Sequence, residues 1–361
     1  MADVAIIEKT SGWERTETGA ANIHPLPNTT QSVENDIFAP RRSLKPYEYP
    51  ELLEFKNAIR QSYWVHEEFE TEFQADIQDF YAVLTDSERS AAKRAMLAIA
   101  QIEVNVKEFW GDVFKRMPKP EIGAVGYTFA ESEVRHFDAY SHLIEILGLN
   151  QEFDQISSVG AIADRIDYLN EYTRGYKSNG ENDEYAMSIL LFSIFVEHVS
   201  LFSQFLILMS FNREKGLLKG ISNAVEATSK EEQIHGEFGV RLIQLIREQY
   251  PHWFGEGFTE RVHLACEQAY EAERHILDWI FESGDLDFLS RETIDAFLQQ
   301  RFNRALINVE VPTLFNPDQR LLDETLWFDE EVLSSSHVDF FNKRPTSYSK
   351  HNKTFSSEDL F

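Results

Sequence analysis

The sequence predicts an all-α protein built as a bundle of long helices. Over several long stretches, apolar side chains recur three and four positions apart, which places them on one face of a helix. No stretch of useful length alternates between apolar and polar residues as a β-strand does, and no internal repeat is found. The chain of 361 residues, with 28 Phe, can bury a large dry core, arranged as one elongated helical domain or as two smaller ones.

The composition restricts the partners and the compartment. There are 61 acidic and 34 basic residues, and the formal net charge of -27 would repel nucleic acid and anionic membrane surfaces. Cys266 is the single cysteine, which excludes an internal disulfide or a redox-active thiol pair within the chain. The N-terminus does not resemble a signal peptide, and no uninterrupted apolar run approaches the roughly 20 residues that a bilayer requires. We therefore expect a soluble, cytoplasmic protein that binds neither nucleic acid nor membrane.

Local signals divide the chain into three regions. Residues 1–45 have no sustained period and are predicted to form a mobile N-terminal arm. Residues 46–311 contain the helical periods and form the main domain. Residues 312–361 contain several prolines and mix polar, basic and aromatic side chains, so we expect a segment that is disordered alone and is ordered by a partner. The alternative is an inert tail.

Capping residues, prolines and glycines mark the helix boundaries. Thr85 and Glu88 form a capping box at the start of a helix that should end before Pro118. Gly148 should close the next long helix. The long helices expected from these signals span about 85–116, 121–147, 183–211, 218–250, 259–282 and 290–309, with shorter ones after Pro50 and between 150 and 177.

One predicted helix carries polar residues on its apolar face. Glu133, His136 and Tyr140 fall on the inward face of residues 121–147. Burying a carboxylate beside an imidazole costs several kcal/mol unless each is paired or bound to a metal. A single core or surface histidine would need no such explanation.

The same pattern recurs farther along the chain, and two more helices add single glutamates. Glu232 and His235 share the apolar face of residues 218–250. Glu103 and Glu197 each lie in an apolar face, although either could be an ordinary helix-surface residue. Four helices with four glutamates and two histidines resemble the ligand set of the di-iron and di-manganese carboxylate proteins.

This donor set predicts a dinuclear metal centre. Residues three positions apart lie one turn apart on a helix, so each Glu-x-x-His pair can bind one metal, and two pairs imply two metals bridged by glutamates. A carboxylate-rich site favours iron or manganese over zinc. A third pair, Glu260 and His263, lies on the flanks of its helix and is interpreted as a chance match.

Tyr140 extends the prediction from metal binding to redox chemistry. It lies one helical turn after His136 on the same face. In most proteins a buried phenol only forms a hydrogen bond. Beside an oxygen-activating metal pair, it can instead lose an electron and a proton.

Three stretches carry a resemblance to a known family. AESEVRHFDAY (130–140), VEHVSLFSQF (196–205) and SKEEQIH (229–235) resemble, in order and spacing, the small, radical-generating subunit of class I ribonucleotide reductase. The resemblance covers most of the chain from about Trp64 to the C-terminus. It implies a ferritin-like helical bundle that forms a homodimer and generates a tyrosyl radical at Tyr140. It also implies six metal ligands: Glu103, Glu133, His136, Glu197, Glu232 and His235.

The resemblance further implies a path for the radical towards a partner protein. Trp64, in YWVHEE, is the expected start of a long-range electron path, and Glu231 is the acid expected to bond this tryptophan and the first histidine. Tyr348, in KRPTSYSK, matches the family's tail tyrosine that relays the radical. The C-terminal tail would bind the large catalytic subunit, which reduces ribonucleoside diphosphates for deoxyribonucleotide synthesis. The small subunit would be active only in that complex.

Two positions depart from the family pattern. Glu103 and Glu231 stand where many members carry aspartate. The extra methylene of Glu103 can alter how a metal is bound, so the sequence does not decide which metals are used. Two irons are expected, with a manganese/iron pair or two manganese ions as alternatives. Some subgroups lack the radical tyrosine and rely on a mixed metal pair, whereas Tyr140 is present here.

Two other functions suit the same ligands. A di-iron oxygenase or oxidase acting on a small or fatty substrate would have a substrate channel and would turn over without a second protein. A ferritin-like metal-storage protein would assemble into a shell and load many irons per chain. Deleting the last 20 or so residues separates these functions, because only a reductase would then lose activity while it keeps its metals and radical.

Overall fold

The computed structural model describes residues 36–41, 43–104, 106–173 and 181–332, without the side chain of Lys107. These residues form helices and connecting turns, with one isolated bridge between Leu286 and Leu289 and no strand. The all-α prediction is therefore confirmed for the described part of the chain.

The helices surround one continuous apolar core. Two π-helical stretches, Asp79–Val83 and Phe192–Ser200, and several short 3-10 turns lie between them. Residues 326–332 are also helical. The α-helices are α1 (Leu53–Gln61), α2 (Glu70–Gln78), α3 (Asp86–Glu103), α4 (Val106–Arg116), α5 (Pro120–Ile146), α6 (Asn150–Asp154), α7 (Gly160–Tyr172), α8 (Asn182–Leu191), α9 (Phe202–Lys215), α10 (Lys219–Gln249), α11 (Phe258–Ile280), α12 (Arg291–Asn308) and α13 (Gln319–Asp323).

The predicted capping signals are present at the helix ends. Thr85 Oγ1 accepts the Glu88 N–H at 3.3 Å, and Glu88 Oε2 accepts the Thr85 N–H at 2.9 Å, which is the expected capping box of α3. Ser290 Oγ accepts the Thr293 N–H at 3.0 Å at the start of α12. After α5, Gly148 adopts a left-handed φ of 63°, which lets the chain turn away from the helix.

Two predicted helices are interrupted beside predicted metal ligands. The helix expected at 85–116 ends as α3 at Glu103 and resumes as α4 at Val106. The helix expected at 183–211 contains the π-helical stretch Phe192–Ser200, which carries Glu197. Apolar periodicity continues across both interruptions, so the sequence pattern gives no sign of them. A π-helical insertion is less stable than regular helix and is frequent at functional sites.

The packed body extends beyond the predicted limits of 46 and 311. Ile37 is fully buried, and its N–H donates to Gln249 Oε1 at 2.9 Å. At the other end, Phe328 and Val332 are also fully buried. Residues without helical periodicity can therefore be ordered here, because a few apolar side chains anchor them to the core.

Two acidic side chains fix the beginning of α10, the helix that carries Glu232 and His235. Asp76 Oδ2 accepts the Ile221 N–H at 2.6 Å, and Asp79 Oδ2 accepts the Leu218 N–H at 3.1 Å. Carboxylates at a helix N-terminus satisfy free N–H groups and interact favourably with the helix dipole. These contacts from α2 and from the π-helical stretch Asp79–Val83 fix where α10 enters the bundle.

One apolar segment is long enough to cross a membrane by length and composition. Asn182–Lys215 contains a window of mean hydropathy 1.7, but this window is completely buried inside the structure. Glu197 and His198 interrupt the segment and are themselves buried. These are the properties of a core helix in a soluble protein.

Candidate metal centre

Four segments bring the six predicted donor side chains together inside the bundle. The donors form two groups, and within each group the donor atoms lie within 4.8 Å of one another. Glu133 and Glu232 belong to both groups. The first group is Glu103, Glu133, His136 and Glu232, and the second is Glu133, Glu197, Glu232 and His235.

Each imidazole directs its Nδ1 nitrogen at the two shared carboxylates. His136 Nδ1 lies 2.9 Å from Glu232 Oε1 and 3.4 Å from Glu133 Oε2. His235 Nδ1 lies 3.0 Å from Glu133 Oε1 and 3.2 Å from Glu232 Oε2. Glu197 Oε2 is 3.9 Å from the same nitrogen of His235. Carboxylate oxygens and imidazole nitrogens thus converge on two adjacent positions.

The outer Nε2 nitrogens determine which tautomer the histidines adopt. His136 Nε2 lies 2.8 Å from Glu231 Oε2, and His235 Nε2 lies 2.9 Å from Ser132 Oγ. Ser132 Oγ donates its only proton to the Phe129 carbonyl at 2.8 Å, so it accepts from His235. An ionised Glu231 can likewise only accept. In the neutral imidazoles, both Nδ1 lone pairs therefore face the carboxylates, as metal ligation requires.

With both imidazoles in this neutral tautomer, several buried polar atoms of the cluster face one another with no proton between them, so none of them has a hydrogen-bond donor among the described residues. They are both carboxylate oxygens of Glu133, Oε1 of Glu232 and Nδ1 of His136. All six donor residues are at most 1 % exposed, so water does not solvate them. A buried acceptor without a partner is costly, and a cation would satisfy several at once. Four carboxylates and two imidazoles, without a thiolate, fit two divalent ions of the iron or manganese type.

The cluster requires positive charge, as the shifted pKa values indicate. Burial raises the pKa of Glu197 well above its ordinary value, and the charge of Glu232 adds to this effect. Burial opposes a charge on His235, but Glu133 and Glu232 outweigh it and raise the pKa of His235 to about 9. Burial also acts to raise the pKa of Glu232, but His235 and the other imidazole lower it well below its usual range. Metal binding would replace protons as the counter-charge.

Glu231 connects Trp64 to the metal-facing histidine. Its Oε2 accepts from Trp64 Nε1 at 3.2 Å and contacts His136, while its Oε1 accepts from Arg135 Nη2 and Ser62 Oγ, both at 3.1 Å. The Trp64 and His136 rings are stacked, with centroids 5.9 Å apart and planes inclined by 19°. The structure therefore brings the two residues inferred from the family resemblance into direct contact with His136.

Three residues that were not predicted hold the donors in place. Trp110 Nε1 donates to Glu197 Oε1 at 2.7 Å, which fixes one oxygen of that carboxylate. Ser132 and Arg135 act through His235 and Glu231, as described above. Their positions in the sequence could have indicated these roles. Ser132 and Arg135 directly adjoin the predicted ligands Glu133 and His136. Trp110 lies on the same apolar face as Glu103 in the helix predicted over 85–116.

Of the other residues singled out in the sequence, Tyr140 is buried, Tyr348 is not described, and the Glu260 and His263 pair lies outside the cluster. Tyr140 is 1 % exposed, and burial together with the charge of Glu103 raises its pKa far above the ordinary value. Tyr348 lies outside the described residues. Glu260 and His263 belong to neither donor group, and His263 Nε2 lies 2.8 Å from the Pro312 carbonyl instead.

Comparison with known proteins identifies relatives over most of the chain. A family model for the ribonucleotide reductase small chain matches residues 41–321. A protein of Invertebrate iridescent virus 3, described as a probable ribonucleoside-diphosphate reductase small subunit, is 25% identical over 330 residues. That match covers 87% of this chain and 86% of the viral protein.

Solved structures share the fold at lower sequence identity. A ribonucleotide reductase subunit from Clostridium botulinum matches with a TM-score of 0.69 and 17% identity, covering 79% of this chain and 89% of that one. Dimanganese(II)-NrdF from Streptococcus sanguinis matches with a TM-score of 0.66 and 17% identity, covering 80% and 96%. The predicted ferritin-like bundle is thus confirmed. Since the family model spans most of its length, the chain belongs to the ribonucleotide reductase small-chain family.

Proposed function

We propose that this chain is the radical-generating subunit of a ribonucleoside-diphosphate reductase and that Tyr140 carries the radical. The observation that supports this most directly is a phenol buried beside the carboxylate and imidazole cluster. Because burial and Glu103 raise its pKa so far, the phenol stays protonated until it is oxidised, and it then loses a proton together with the electron. The dry surroundings also keep water away from the oxidised ring.

The proposed metal ligands are the six converging donors. The shared residues Glu133 and Glu232 would bridge the two ions, while Glu103 and His136 bind one and Glu197 and His235 the other. A metal pair held by these residues would supply the oxidising power that one-electron oxidation of Tyr140 needs, with an oxygen-derived species as the oxidant. Two irons are the proposed metals. Two manganese ions, as in the Streptococcus sanguinis relative, and a manganese/iron pair are the alternatives.

The path towards the partner begins at Trp64 in this proposal. Glu231 accepts hydrogen bonds from Trp64 and Arg135 and contacts His136, so a charge change at the metal centre is felt directly at the tryptophan. Arg135 donates through Nη1 to the Trp64 carbonyl at 3.0 Å, and its guanidinium lies 4.6 Å from the centre of the Tyr63 ring. These contacts fix the tryptophan while an electron moves through it.

The C-terminal segment completes the proposal. Its tail would bind the large catalytic subunit, and Tyr348 would relay the radical to that subunit, where ribonucleotides are reduced. The small subunit would act as a homodimer in the cytoplasm.

The variant Tyr140→Phe tests the radical site. It should lose the organic radical signal in electron paramagnetic resonance while it keeps two metal ions per chain, because phenylalanine has no hydroxyl proton to release and no metal ligand is changed. Tyr185→Phe is the matched control, since Tyr185 is equally buried but lies on α8, which carries no ligand. A radical of undiminished intensity in Tyr140→Phe would refute the assignment.

A chain without residues 342–361 tests the partner and separates the alternative functions. We expect it to keep both metals and the radical but to lose binding to the large subunit from the same host, and with it all ribonucleotide reduction. Full-length Tyr348→Phe is the companion variant, which should still bind the large subunit but fail to turn over. Substrate oxidation without a second protein would instead favour an oxygenase or oxidase, and loading of many irons per chain would favour a storage protein.

A further inference from the structure

We propose that two buried arginines, Arg165 and Arg301, are positioning residues that hold the π-helical stretch Phe192–Ser200, and with it Glu197, in register with the neighbouring ligand helices. Neither arginine touches a proposed metal ligand side chain. Each instead donates to a backbone carbonyl of the stretch that carries Glu197, at His198 or at Ser200, and to a second ligand-bearing helix. The inference rests on the proposed metal centre and adds to it the residues that fix its geometry.

The starting point is the backbone on either side of Glu197. A π-helical turn replaces the regular i to i−4 hydrogen bonds, and its weaker ladder leaves the segment dependent on outside contacts. Side chains donate to three carbonyls of this stretch. The Phe195 carbonyl accepts from Ser200 Oγ at 2.8 Å, the His198 carbonyl from Arg301 Nε at 2.8 Å, and the Ser200 carbonyl from Arg165 Nη2 at 3.3 Å.

Arg301, on α12, connects the π-helical stretch to α10. Besides the His198 carbonyl, it approaches Gln233 Oε1 through Nη2 at 3.4 Å, and Gln233 follows Glu232 directly in the sequence. Its guanidinium lies 3.7 Å from the centre of the Phe202 ring, just after the stretch ends. One rigid group thus contacts the segments that supply Glu197 and Glu232.

Burying the charged guanidinium of Arg301 costs free energy. The residue is 4 % exposed, and within the described part of the chain no carboxylate lies within 4.0 Å of it. Burial lowers its pKa to about 9. The charges of Asp329 and Glu237 oppose this lowering of the pKa without cancelling it. The guanidinium therefore keeps part of the cost of burying a cation, and its carbonyl and ring contacts must offset that cost.

Arg165, on α7, connects the same stretch to α3. Its Nη1 donates to the Ala98 carbonyl at 3.0 Å, in the helix that ends at Glu103, while Nη2 reaches Ser200. Glu273 neutralises it through contacts of 3.1 Å to Nε and 2.6 Å to Nη2. The two arginines therefore tie the Glu197 segment to the Glu103 helix on one side and to the Glu232 helix on the other.

Binding of Mn(II) alone, without oxidant or partner, tests the proposal. In Arg301→Gln and Arg165→Gln, we expect the affinity for one of the two ions to fall by about tenfold or more, as is typical when groups that orient ligands are removed. The Mn(II) electron paramagnetic resonance spectrum should change as well, because Glu197 is a proposed ligand of one ion and its displacement alters the surroundings of that ion. Arg301→Lys retains the charge and one donor, and should recover part of the affinity.

Arg94→Gln is the matched control. Arg94, on α3 itself, also donates to a helix carbonyl, that of Trp279, and its guanidinium lies 5.3 Å from the Trp279 ring centre. Among the described residues, it connects α3 only to the end of α11, which carries no proposed ligand, and not to a second ligand-bearing segment. Thermal unfolding of each metal-free variant shows whether a loss of affinity follows from lower stability, in which case Arg94→Gln would share it.

The outcomes separate the inference from the function on which it rests. Wild-type affinity and an unchanged spectrum in both arginine variants would overturn the positioning role and leave the metal centre intact. Equal losses in Arg94→Gln would also overturn it. A wild-type chain that binds no Mn(II) or Fe(II) would remove the proposed metal centre and the positioning role together.

Discussion

Gly239→Ala is expected to prevent normal loading of the metal centre and to lower the free energy of unfolding by about 1–3 kcal/mol, the usual range for overpacking a core. A Cβ at this position would lie 1.7 Å from Ser193 Oγ and 2.3 Å from Ser193 Cβ. Ser193 belongs to the π-helical stretch and Gly239 to α10, so we expect relief of the clash to push these two segments apart and to displace Glu197 relative to His235. Metal analysis and chemical denaturation measure the two effects.

A control and a rescue make this prediction specific. Gly160→Ala adds the same methyl group at the first position of α7, where nothing lies within 4 Å, and should leave metal content and stability close to wild type. Ser193→Gly combined with Gly239→Ala removes both clashing atoms and should restore metal binding. If Gly239→Ala alone binds two ions with wild-type affinity, the close approach of the two helices is not needed to form the site.

Glu231→Gln should lower the free energy of unfolding by about 3–5 kcal/mol, because it removes the only buried carboxylate of the described residues that contacts Arg135 and leaves this buried cation with the half-exposed Glu131 alone. Glu231 is fully buried, Arg135 is 5 % exposed, and the ion pair between them is 3.1 Å long. An amide also cannot accept all the donors that Glu231 faces, so Trp64 and His136 would lose a fixed orientation. Urea unfolding of the metal-free chain measures the first effect.

Glu131→Gln is the matched control, because it removes the other carboxylate of the same arginine. Glu131 lies 3.2 Å from Arg135 Nε, but its side chain is 49 % exposed, so its loss should change stability by less than about 1 kcal/mol. In the holoenzyme, Glu231→Gln should reduce turnover by about 10–100-fold, whereas Glu131→Gln should not. Equal effects of the two variants would contradict the role given to Glu231.

The convergence of the six candidate donors could be expected from the sequence because these residues interrupt a strong apolar pattern. Glu133 and His136 stand out because charged residues rarely occupy the apolar face of a long helix. Glu232 and His235 repeat the same spacing on the apolar face of a second helix. Glu103 and Glu197 were the weaker predictions, because very apolar helices do not reveal which face is inward. Their convergence with the two pairs depends on tertiary packing, which periodicity does not encode.

Other features depend on contacts between distant parts of the chain. The π-helical stretch has the same apolar composition as a regular helix, so its extra residue is invisible in the pattern around Glu197. Glycine is a poor helix former, so the sequence gives no reason for Gly236 and Gly239 within a helix. The structure gives one, because a side chain at these positions would clash with the neighbouring segment: a Cβ at Gly236 would lie 2.2 Å from the His198 ring. The order of Ile37 and Phe328 likewise arises from docking, since neither lies in a periodic segment.

The donors come from four segments spread between Glu103 and His235 and meet only when all four are packed. A nascent or partly folded chain therefore presents at most isolated Glu-x-x-His turns, which hold transition metals weakly. Long-range assembly is slow compared with helix formation. Ion capture should consequently come last during biogenesis, so that a chain that has misfolded never acquires the means to make a damaging oxidant.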